Sequence, residues 1–322
     1  HQHVQEAVTG PLLTPPVLVH HEISLQHSRL PTGTLEAVAR RVKTGMIRHV
    51  VVLAGAGISV SAGLPDFRGN QGLYDKLETV GVPCPSEALT LPYFREHPKV
   101  FLSVAKELYP TEEHHPTATH HFFKVLQDRG VLQRVYTQNV DGLERGAGVD
   151  TERLVEAHGT LHSAHCIECQ SRQDALRVRE SILQGDVPSC KCGGIVKPDV
   201  VFFGEDTVLE SPRVRELIAL DFSQCDLLII AGTSLKVQPF ASLVHAVHPD
   251  TPRVLVNTEK IDHPVEFLRS VRGQLFHEEA PLNEDRKDVA VIGECDAVFE
   301  RLCDLVGWTQ QLDAAKNTLT VP

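Results

Sequence analysis

A short apolar run that ends in closely spaced glycines constrains this chain more than any other feature. Residues 50–53 read Val-Val-Val-Leu and lead into Gly55 and Gly57, a pattern typical of a buried strand followed by a tight turn. Glycines there let the backbone approach a phosphate, which free N–H groups and a following helix N-terminus would bind. The usual dinucleotide fingerprint needs a third small residue, but Val60 occupies that position. Taken alone, the motif is incomplete, and a plain Gly-rich turn stays open.

Length, charge and hydropathy limit the class of protein. A chain of 322 residues with 42% hydrophobic residues is long enough to bury a full core. No apolar run approaches the roughly 20 residues that span a bilayer, so no membrane partner is predicted. The net charge of −11 argues against direct nucleic-acid binding as the main activity. It suits lysine-rich partners, although solubility is the simpler explanation.

Further apolar runs recur along the chain at a spacing that favours a parallel sheet covered by helices. They are residues 131–136, 154–157, 226–231, 253–256 and 289–292. Helical patterns separate several of these runs, and one helical pattern begins at Thr34. We therefore predict an α/β fold, although periodicity does not give the order of the strands.

The eight cysteines divide into four scattered residues and two close pairs. The scattered ones are Cys84, Cys225, Cys295 and Cys303, and the pairs are Cys166 with Cys169 and Cys190 with Cys192. Two such pairs are typical of a tetrahedral Zn²⁺ site in a reducing compartment rather than of a disulfide framework. Four thiolates leave no open coordination position, so we predict one structural zinc ion per chain. The second pair has a spacer one residue short, and Gly193 and Gly194 are expected to supply its turn.

Six motifs in a fixed order resemble a known family. They are residues 53–69 (LAGAGISVSAGLPDFRG), 137–141 (TQNVD), 156–159 (EAHG), 197–205 (KPDVVFFGE), 232–235 (GTSL) and 256–259 (VNTE). In this order and spacing the set resembles the sirtuins, the Sir2 family of NAD-dependent protein lysine deacylases. The resemblance extends from about Thr34 to Gly307, and residues 93–98 and 105–110 are similar to the eukaryotic deacetylase branch.

The resemblance implies a Rossmann-like NAD-binding large domain and a smaller helical and zinc-binding domain made from two insertions. NAD and the acyl-lysine would meet in the cleft between them. The implied parts are residues 34–69, 129–158 and 199–307 for the large domain, 70–128 for a cofactor loop and helical module, 159–198 for a zinc module, 1–33 for a flexible N-terminal arm and 308–322 for a C-terminal tail.

For catalysis the resemblance implies His158 and Asn139. His158 ends an apolar run before Gly159 and occupies the family's position for the base that deprotonates a ribose hydroxyl. An imidazole suits this role because its ordinary pKa is close to neutrality. Asn139 would hold the ribose or an ordered water. For any one of the eighteen histidines, a surface or capping role is the alternative.

The resemblance also implies a set of NAD-binding residues. Asp66 and Ile58 would line the nicotinamide pocket, and Ser59 would cap the helix after the glycine turn. Arg68 would offset the diphosphate charge, with a plain salt bridge to Asp66 as the alternative. The full set is Gly55, Ala56, Gly57, Ile58, Ser59, Asp66, Phe67, Arg68, Tyr74, Gln138, Asn139, Asp141, Gly232, Thr233, Ser234, Asn257, Thr258, Glu259 and Cys295. For Cys295 an apolar helix-start role is equally open.

One further segment is strand-like and resembles the part of the family that pairs with the substrate backbone. It consists of Val201, Phe202, Phe203, Gly204 and Glu205. Acetyl-lysine proteins, with histones as candidates, would be the partners. Residues 100–106 lack the Tyr-x-x-Arg pair that receives acidic acyl groups in this family, so acetyl-lysine is predicted ahead of succinyl-lysine.

Together these features predict an NAD-dependent protein lysine deacetylase that transfers acetyl to ADP-ribose and releases nicotinamide. The first thirty residues contain one Arg and no Lys, unlike a presequence or signal peptide, which favours the cytoplasm, the nucleus or both. A protein ADP-ribosyltransferase and an NAD-sensing scaffold of a repressive complex are the alternatives. An NAD oxidoreductase is least favoured, because the glycine fingerprint is incomplete.

Overall fold

The protein is described by a computed structural model that covers residues 34–66, 72–79, 82, 85–259, 261 and 288–318. Its strands are β1 Val50–Ala54, β2 Leu132–Thr137, β3 Leu154–Glu156, β4 Gly159–Cys166, β5 Arg172–Gln173, β6 Val196–Val200, β7 Leu227–Ala231, β8 Arg253–Asn257 and β9 Val289–Ile292. Its helices are α1 Leu35–Lys43, α2 Leu73–Thr79, α3 Pro85–Ala88, α4 Leu91–Glu96, α5 Pro98–Leu108, α6 Ala118–Asp128, α7 Leu143–Gly146, α8 Ala175–Leu183, α9 Pro212–Gln224, α10 Cys295–Val306 and α11 Thr309–Lys316. No helix in these ranges is long and apolar enough to cross a membrane.

A six-stranded parallel sheet in the order β3-β2-β1-β7-β8-β9 forms the centre of the fold. All five residues of β1 and of β7 are buried, as expected of central strands with helices on both faces. The five apolar runs named above and the α/β prediction are confirmed, with ends that differ by one residue. Thr34 caps α1 as its sequence pattern indicates, since its hydroxyl accepts a hydrogen bond from Ala37 N–H at 3.2 Å.

The strand order reverses beside β1. The chain passes from β1 to β2 and β3 on one side, and later fills the other side with β7, β8 and β9. In an open parallel sheet such a reversal leaves a crevice at the carboxyl ends of the two central strands, and ligands bind there. Here the crevice lies at the ends of β1 and β7.

A second, smaller core lies beside a three-stranded antiparallel sheet in the order β5-β4-β6. Phe94, Phe101 and Phe202 form an edge-to-face cluster in it, with ring centroids 4.7 to 5.8 Å apart. Burial of each ring contributes about 1.5–3 kcal/mol. Helices α2, α4, α5 and α8 contribute apolar residues to this core, in agreement with a helical and zinc-binding module.

The packing of α6 corrects one predicted boundary. Residues 70–128 were assigned to the smaller domain, but Phe122 and Phe123 of α6 belong to the core on one face of the large sheet. Phe122 stacks on Phe299 of α10 with a centroid separation of 4.7 Å. Helix α6 therefore belongs with the large sheet, and the other domain boundaries stay a prediction.

Helix α11 lies where the sequence showed no strong signal. Its only fully buried side chain is Leu312, so the apolar stripe is too narrow to reveal the helix from sequence. Arg129 stacks over the Trp308 ring at 5.2 Å and fixes the start of this helix against the chain after α6.

Candidate functional site

The polar motifs converge at the carboxyl edge of the parallel sheet. Each follows a different strand: residues 55–59 follow β1, 138–141 follow β2, 157–158 follow β3, 232–234 follow β7 and 258–259 follow β8. Because parallel strands end at one edge, residues far apart in sequence meet beside the crevice. Cys295 begins α10 after β9 at the same edge.

The glycines after β1 have a structural reason that the sequence did not show. Gly55 N–H donates to the Ala231 carbonyl at 3.0 Å, and Gly57 N–H donates to the Gly232 carbonyl at 2.8 Å. A Cβ atom on Gly57 would lie 2.7 Å from the Gly232 Cα, so the two turns touch backbone to backbone. These two N–H groups are therefore taken by the β7 side of the crevice, and binding of a phosphate at the turn stays a prediction.

Replacing Gly232 by Ala is expected to destabilise the fold more than the same replacement at a left-handed glycine with open space around it. Its φ is +60°, and an added Cβ would lie 2.5 Å from the Ile58 N atom. We expect a loss of roughly 2–4 kcal/mol, the sum of backbone strain and overpacking. Urea unfolding measures it.

Gly130→Ala is the matched control, because Gly130 has a φ of +70° and nothing within 4 Å of the added Cβ. It should cost only the strain, about 1–2 kcal/mol. Equal losses in the two variants would contradict the close packing of the turns.

The chain after the glycine turn forms two 3-10 turns, Ala56–Ile58 and Val60–Ala62, rather than the predicted α-helix. Gly63 has a φ of +92° and Pro65 follows it, so the segment is too short to propagate a helix. Ser59 makes no capping hydrogen bond, and its predicted cap role is wrong. Its hydroxyl donates instead to Asp141 Oδ2 at 2.8 Å.

Asn139 and Asp141 join this buried array. Asn139 Nδ2 donates to Ser59 Oγ at 3.2 Å and to the Gly55 carbonyl at 3.3 Å. Asp141 also accepts from Leu143 N–H at 2.9 Å. Burial raises the pKa of Asp141, and the hydrogen bonds from Leu143 and Ser59 oppose that rise. The array fixes both side chains against the turn after β1.

Gln138 links the ends of β2 and β7, because its Oε1 accepts a hydrogen bond from the Thr233 hydroxyl at 2.6 Å. Thr233 is buried and Ser234 is exposed. One edge of the crevice thus carries a buried, paired hydroxyl and a second hydroxyl open to a ligand.

His158 lies in the link between β3 and β4. Burial lowers the pKa of its ring below the ordinary 6.5, and the nearby backbone of Gln138 opposes that shift. The ring lies 6.1 Å from the ring of Phe240, which sequence reasoning missed because it reads as an ordinary core residue. A lowered pKa favours the neutral imidazole, which can accept a proton.

The residues at the ends of β8 and β9 lie at the same carboxyl edge of the sheet. Asn257 is half-buried, and its Nδ2 donates to the Glu259 carbonyl at 3.1 Å. Thr258 and Glu259 are exposed. Burial raises the pKa of the Cys295 thiol to about 12, so that thiol is inert and only its backbone is suited to ligand contact.

The loop after Asp66 is only partly described. Phe67 and Arg68 lie outside the described residues, so their predicted roles are not tested. The Asp66 carbonyl accepts from Leu73 N–H at 2.9 Å, which ties the two ends of this loop. Tyr74 packs half-buried at the edge of the smaller core.

Residues 201–205 are not a strand, although their sequence is strand-like. Strand β6 ends at Val200, because the next N–H groups point to three different acceptors. Val201 N–H donates to the His158 carbonyl at 2.9 Å, Phe202 N–H to Glu205 Oε2 at 2.8 Å and Phe203 N–H to the Leu89 carbonyl at 2.8 Å. The N–H groups of Val201, Phe202 and Phe203 are therefore already paired.

The four paired cysteines converge on one point. Their sulfur atoms all lie within 4.8 Å of one another, with Cys166 and Cys192 3.5 Å apart and Cys169 and Cys190 3.7 Å apart. A tetrahedral zinc with Zn–S bonds of about 2.3 Å requires sulfurs about 3.8 Å apart. The donor set and spacing thus fit a structural zinc ion.

Two glycines make the short Cys190–Cys192 spacer workable, as predicted. Gly193 has a φ of +88°, and Cys190 N–H donates to the Gly194 carbonyl at 2.8 Å. A Cβ on Gly194 would lie 2.7 Å from Cys166 Sγ. The tight turn therefore brings Cys192 to the other three thiols.

Comparison with known proteins agrees with the geometry. Residues 55–239 match the family model described as the Sir2 family. The chain is 42% identical over 287 residues to the zebrafish (Danio rerio) NAD-dependent protein deacetylase sirtuin-2, covering 87% of this chain and 74% of that protein. It is also 42% identical over 281 residues to the mouse (Mus musculus) NAD-dependent protein deacetylase sirtuin-3, covering 87% and 78%.

A third relative is longer. The chain is 39% identical over 289 residues to the NAD-dependent deacetylase sir2A of Dictyostelium discoideum, covering 88% of this chain and 54% of that protein. It therefore spans about half the length of that relative. The matched model covers more than half of the chain and includes four of the five strand-end motifs, so the chain belongs to the Sir2 family.

Proposed function

We propose that this protein is an NAD-dependent protein lysine deacetylase. One observation supports the proposal most strongly: His158, whose ring has a lowered pKa, follows β3 at the strand-end crevice, and its carbonyl accepts from Val201 N–H in the segment that follows β6. The relatives named above carry the same activity in their names. Acetyl-lysine proteins are the proposed substrates, with histones among them, since a chain of net charge −11 suits lysine-rich tails.

NAD fits the crevice by its position at the strand-order reversal and by its polar lining. Residues Gly232–Ser234, Asn257 and Glu259 would hold the adenosine side, and Ile58, Gln138, Asn139 and Asp141 the nicotinamide-ribose side. When bound, NAD supplies a ribose carbon from which nicotinamide leaves as the acyl oxygen takes its place. Holding the two reactants in this geometry is the chief contribution of the chain.

His158 would act as the general base on a ribose hydroxyl. Its lowered pKa keeps the ring unprotonated. Asn139 would act from the opposite wall, where its amide nitrogen is already held by Gly55 and Ser59. Only its carbonyl oxygen is then left to contact the ribose or a water.

The decisive experiment is incubation with NAD and an acetyl-lysine peptide. Nicotinamide and acetylated ADP-ribose should form together and in equal amounts. An increase in peptide mass by ADP-ribose would favour the transferase alternative, and NAD binding without turnover would favour the scaffold.

The acyl group is expected to be apolar. Phe101, Leu102 and Val104 of α5 are buried in the smaller core, and Lys106 is exposed. A buried succinyl carboxylate needs a paired cation and hydrogen bonds, which this stretch does not supply. We expect kcat/KM on one peptide to be at least about tenfold higher for acetyl-lysine than for succinyl-lysine; a succinyl preference would contradict this assignment.

A reducing compartment, the cytoplasm or nucleus, is part of the proposal. Seven cysteines are free thiols in the described part of the chain, and four of them form the cluster suited to zinc. Localisation of the tagged protein in intact cells tests this point.

A further inference from the structure

Glu144 is an unexplained buried acid next to the proposed active site. Its side chain is 1% exposed, and neither carboxylate oxygen has a hydrogen-bond partner of normal geometry in the described chain. The nearby Thr137 hydroxyl gives it only weak support. One ligating atom each of Glu144, Asp141 and His120 lies within 4.8 Å of the other two. Two carboxyl groups this close and this buried cannot both be ionised at low cost.

The hydrogen bonds of Asp141 identify it as the ionised member. It accepts from Ser59 Oγ and from Leu143 N–H, and both bonds favour a carboxylate. Glu144 has no such donors, so the proton shared by the pair belongs on Glu144. Burial and the nearby Asp141 charge raise the pKa of Glu144 to about 8.

His120 is a neutral donor in this cluster rather than a metal ligand. Thr117 N–H donates to His120 Nδ1 at 3.1 Å in the capping box at the start of α6, which assigns the ring proton to Nε2. Burial lowers the pKa of His120 to about 3, so the ring stays neutral. A protonated Nε2 cannot bind a metal ion, but it can donate to a carboxyl oxygen, and it has no other partner among the described residues.

We propose that Glu144 is a positioning residue that works as a neutral carboxylic acid: it accepts from His120 Nε2–H and donates its own proton to the Asp141 carboxylate. The proposal rests on the proposed function, because the array it holds is the NAD side of the site. The chain of hydrogen bonds runs from the start of α6 through Glu144 and Asp141 to Ser59 and Asn139. The two further hydrogen bonds that the proposal adds, His120 to Glu144 and Glu144 to Asp141, join groups whose ligating atoms lie within 4.8 Å of one another.

Loss of this proton would place a second negative charge beside Asp141. The other charged or titratable groups near Glu144 are Arg145 on its own helix, Glu156 on β3 and, near Asp141, His162 on β4. Arg145 already pairs with Glu156, so it is not free to neutralise the new charge. Binding of NAD should therefore weaken as pH rises through the titration of Glu144.

The free energy of unfolding should also depend on pH through the titration of Glu144. The carboxyl has a higher pKa in the folded chain, about 8, than its ordinary value of 4.5, so the folded state holds one more proton between these values. Stability from this group is full below about pH 4.5, falls as pH rises and is lost by about pH 8.

The test compares Glu144→Gln with the wild-type chain from about pH 5 to about pH 9. The upper limit lies roughly one pH unit above the pKa of Glu144. A Gln amide accepts from His120 and donates to Asp141 as the protonated acid does, but it does not titrate. We expect KM for NAD to agree within about twofold at neutral pH and the alkaline rise in KM to be absent from Glu144→Gln. The melting temperature of wild type should fall relative to the variant over the same range.

Glu152→Gln is the matched control, because Glu152 is 84% exposed and the charge change is the same; its profile should follow wild type. Glu144→Ala should weaken NAD binding at every pH. An identical alkaline rise in wild type and Glu144→Gln would overturn the proposal, as would a change in stability alone with KM unaffected. If the wild type does not deacetylate, the NAD-induced shift in melting temperature replaces KM as the readout. Failure of the proposed function can then be distinguished from failure of the Glu144 proposal.

Discussion

His158→Ala is expected to lower kcat/KM for deacetylation by roughly 10²–10⁴-fold, the usual contribution of a general base. The ring is only partly buried, with its centroid 6.1 Å from that of Phe240, so the fold should survive. Binding of NAD should change far less than turnover, because the Gln138–Thr233 link and the turn after β1 do not depend on the imidazole.

The pH profile separates this role from simple packing. The lowered pKa of His158 keeps its neutral form populated, so protonation of this ring should lower kcat on the acid side, below the ordinary imidazole pKa of 6.5, whereas the alkaline rise in KM for NAD belongs to Glu144. Measurement of kcat/KM from pH 5.5 to 8 and of NAD affinity by calorimetry checks both statements.

His248→Ala is a suitable control, because that side chain is 69% exposed in a turn. It should retain full activity. A His158 variant with near-normal turnover would remove His158 from the mechanism.

Loss of the zinc site is expected to have the largest effect on stability. Zinc binding to a four-cysteine site is worth about 10–16 kcal/mol in small domains, which exceeds the usual net stability of a fold. Cys166 is the last residue of β4, and its side chain is fully buried next to Gly194. Cys166→Ala or strong chelation should therefore unfold the module formed by β4, β5 and β6.

Activity should fall as a consequence of that unfolding. Gly159 of β4 pairs with Val200 of β6, and these residues adjoin His158 and Val201. Elemental analysis should find about one zinc per chain, and thermal unfolding with limited proteolysis should locate the damage. Cys303→Ala, at a buried thiol outside the cluster, should keep its zinc. Active, folded protein without metal would contradict the structural role, and a site that survives Cys192→Ala would exclude Cys192 as a ligand.

The sequence predicts the large sheet well because its strands are buried on both faces. Such strands are continuous apolar runs without alternating polar residues, as Val50 and Ile230 illustrate. The polar motifs follow directly where these runs end. The metal module was also recognisable, because thiol spacing reflects coordination geometry. Residues 201–205 have the apolar composition of a strand. They do not form one, because their N–H groups donate to acceptors in three different parts of the chain.

Other features depended on tertiary contacts that no local pattern contains. Gly57 looks like a ligand-binding glycine, yet it touches Gly232, which lies far away in sequence. Glu144 reads as an exposed residue of a short helix, and only the packing of α6 buries it. A hint existed in Thr117 and His120, whose spacing matches a capping box.

The backbone and the ring of His158 attach to different parts of the site. Its carbonyl accepts from Val201 N–H in the proposed peptide segment, while its ring lies near the backbone of Gln138 on the cofactor side. Any displacement of either segment therefore moves the base relative to its target. Such an arrangement would make alignment of the base conditional on correct seating of both reactants, so discrimination between peptides would fall at the chemical step as well as at binding.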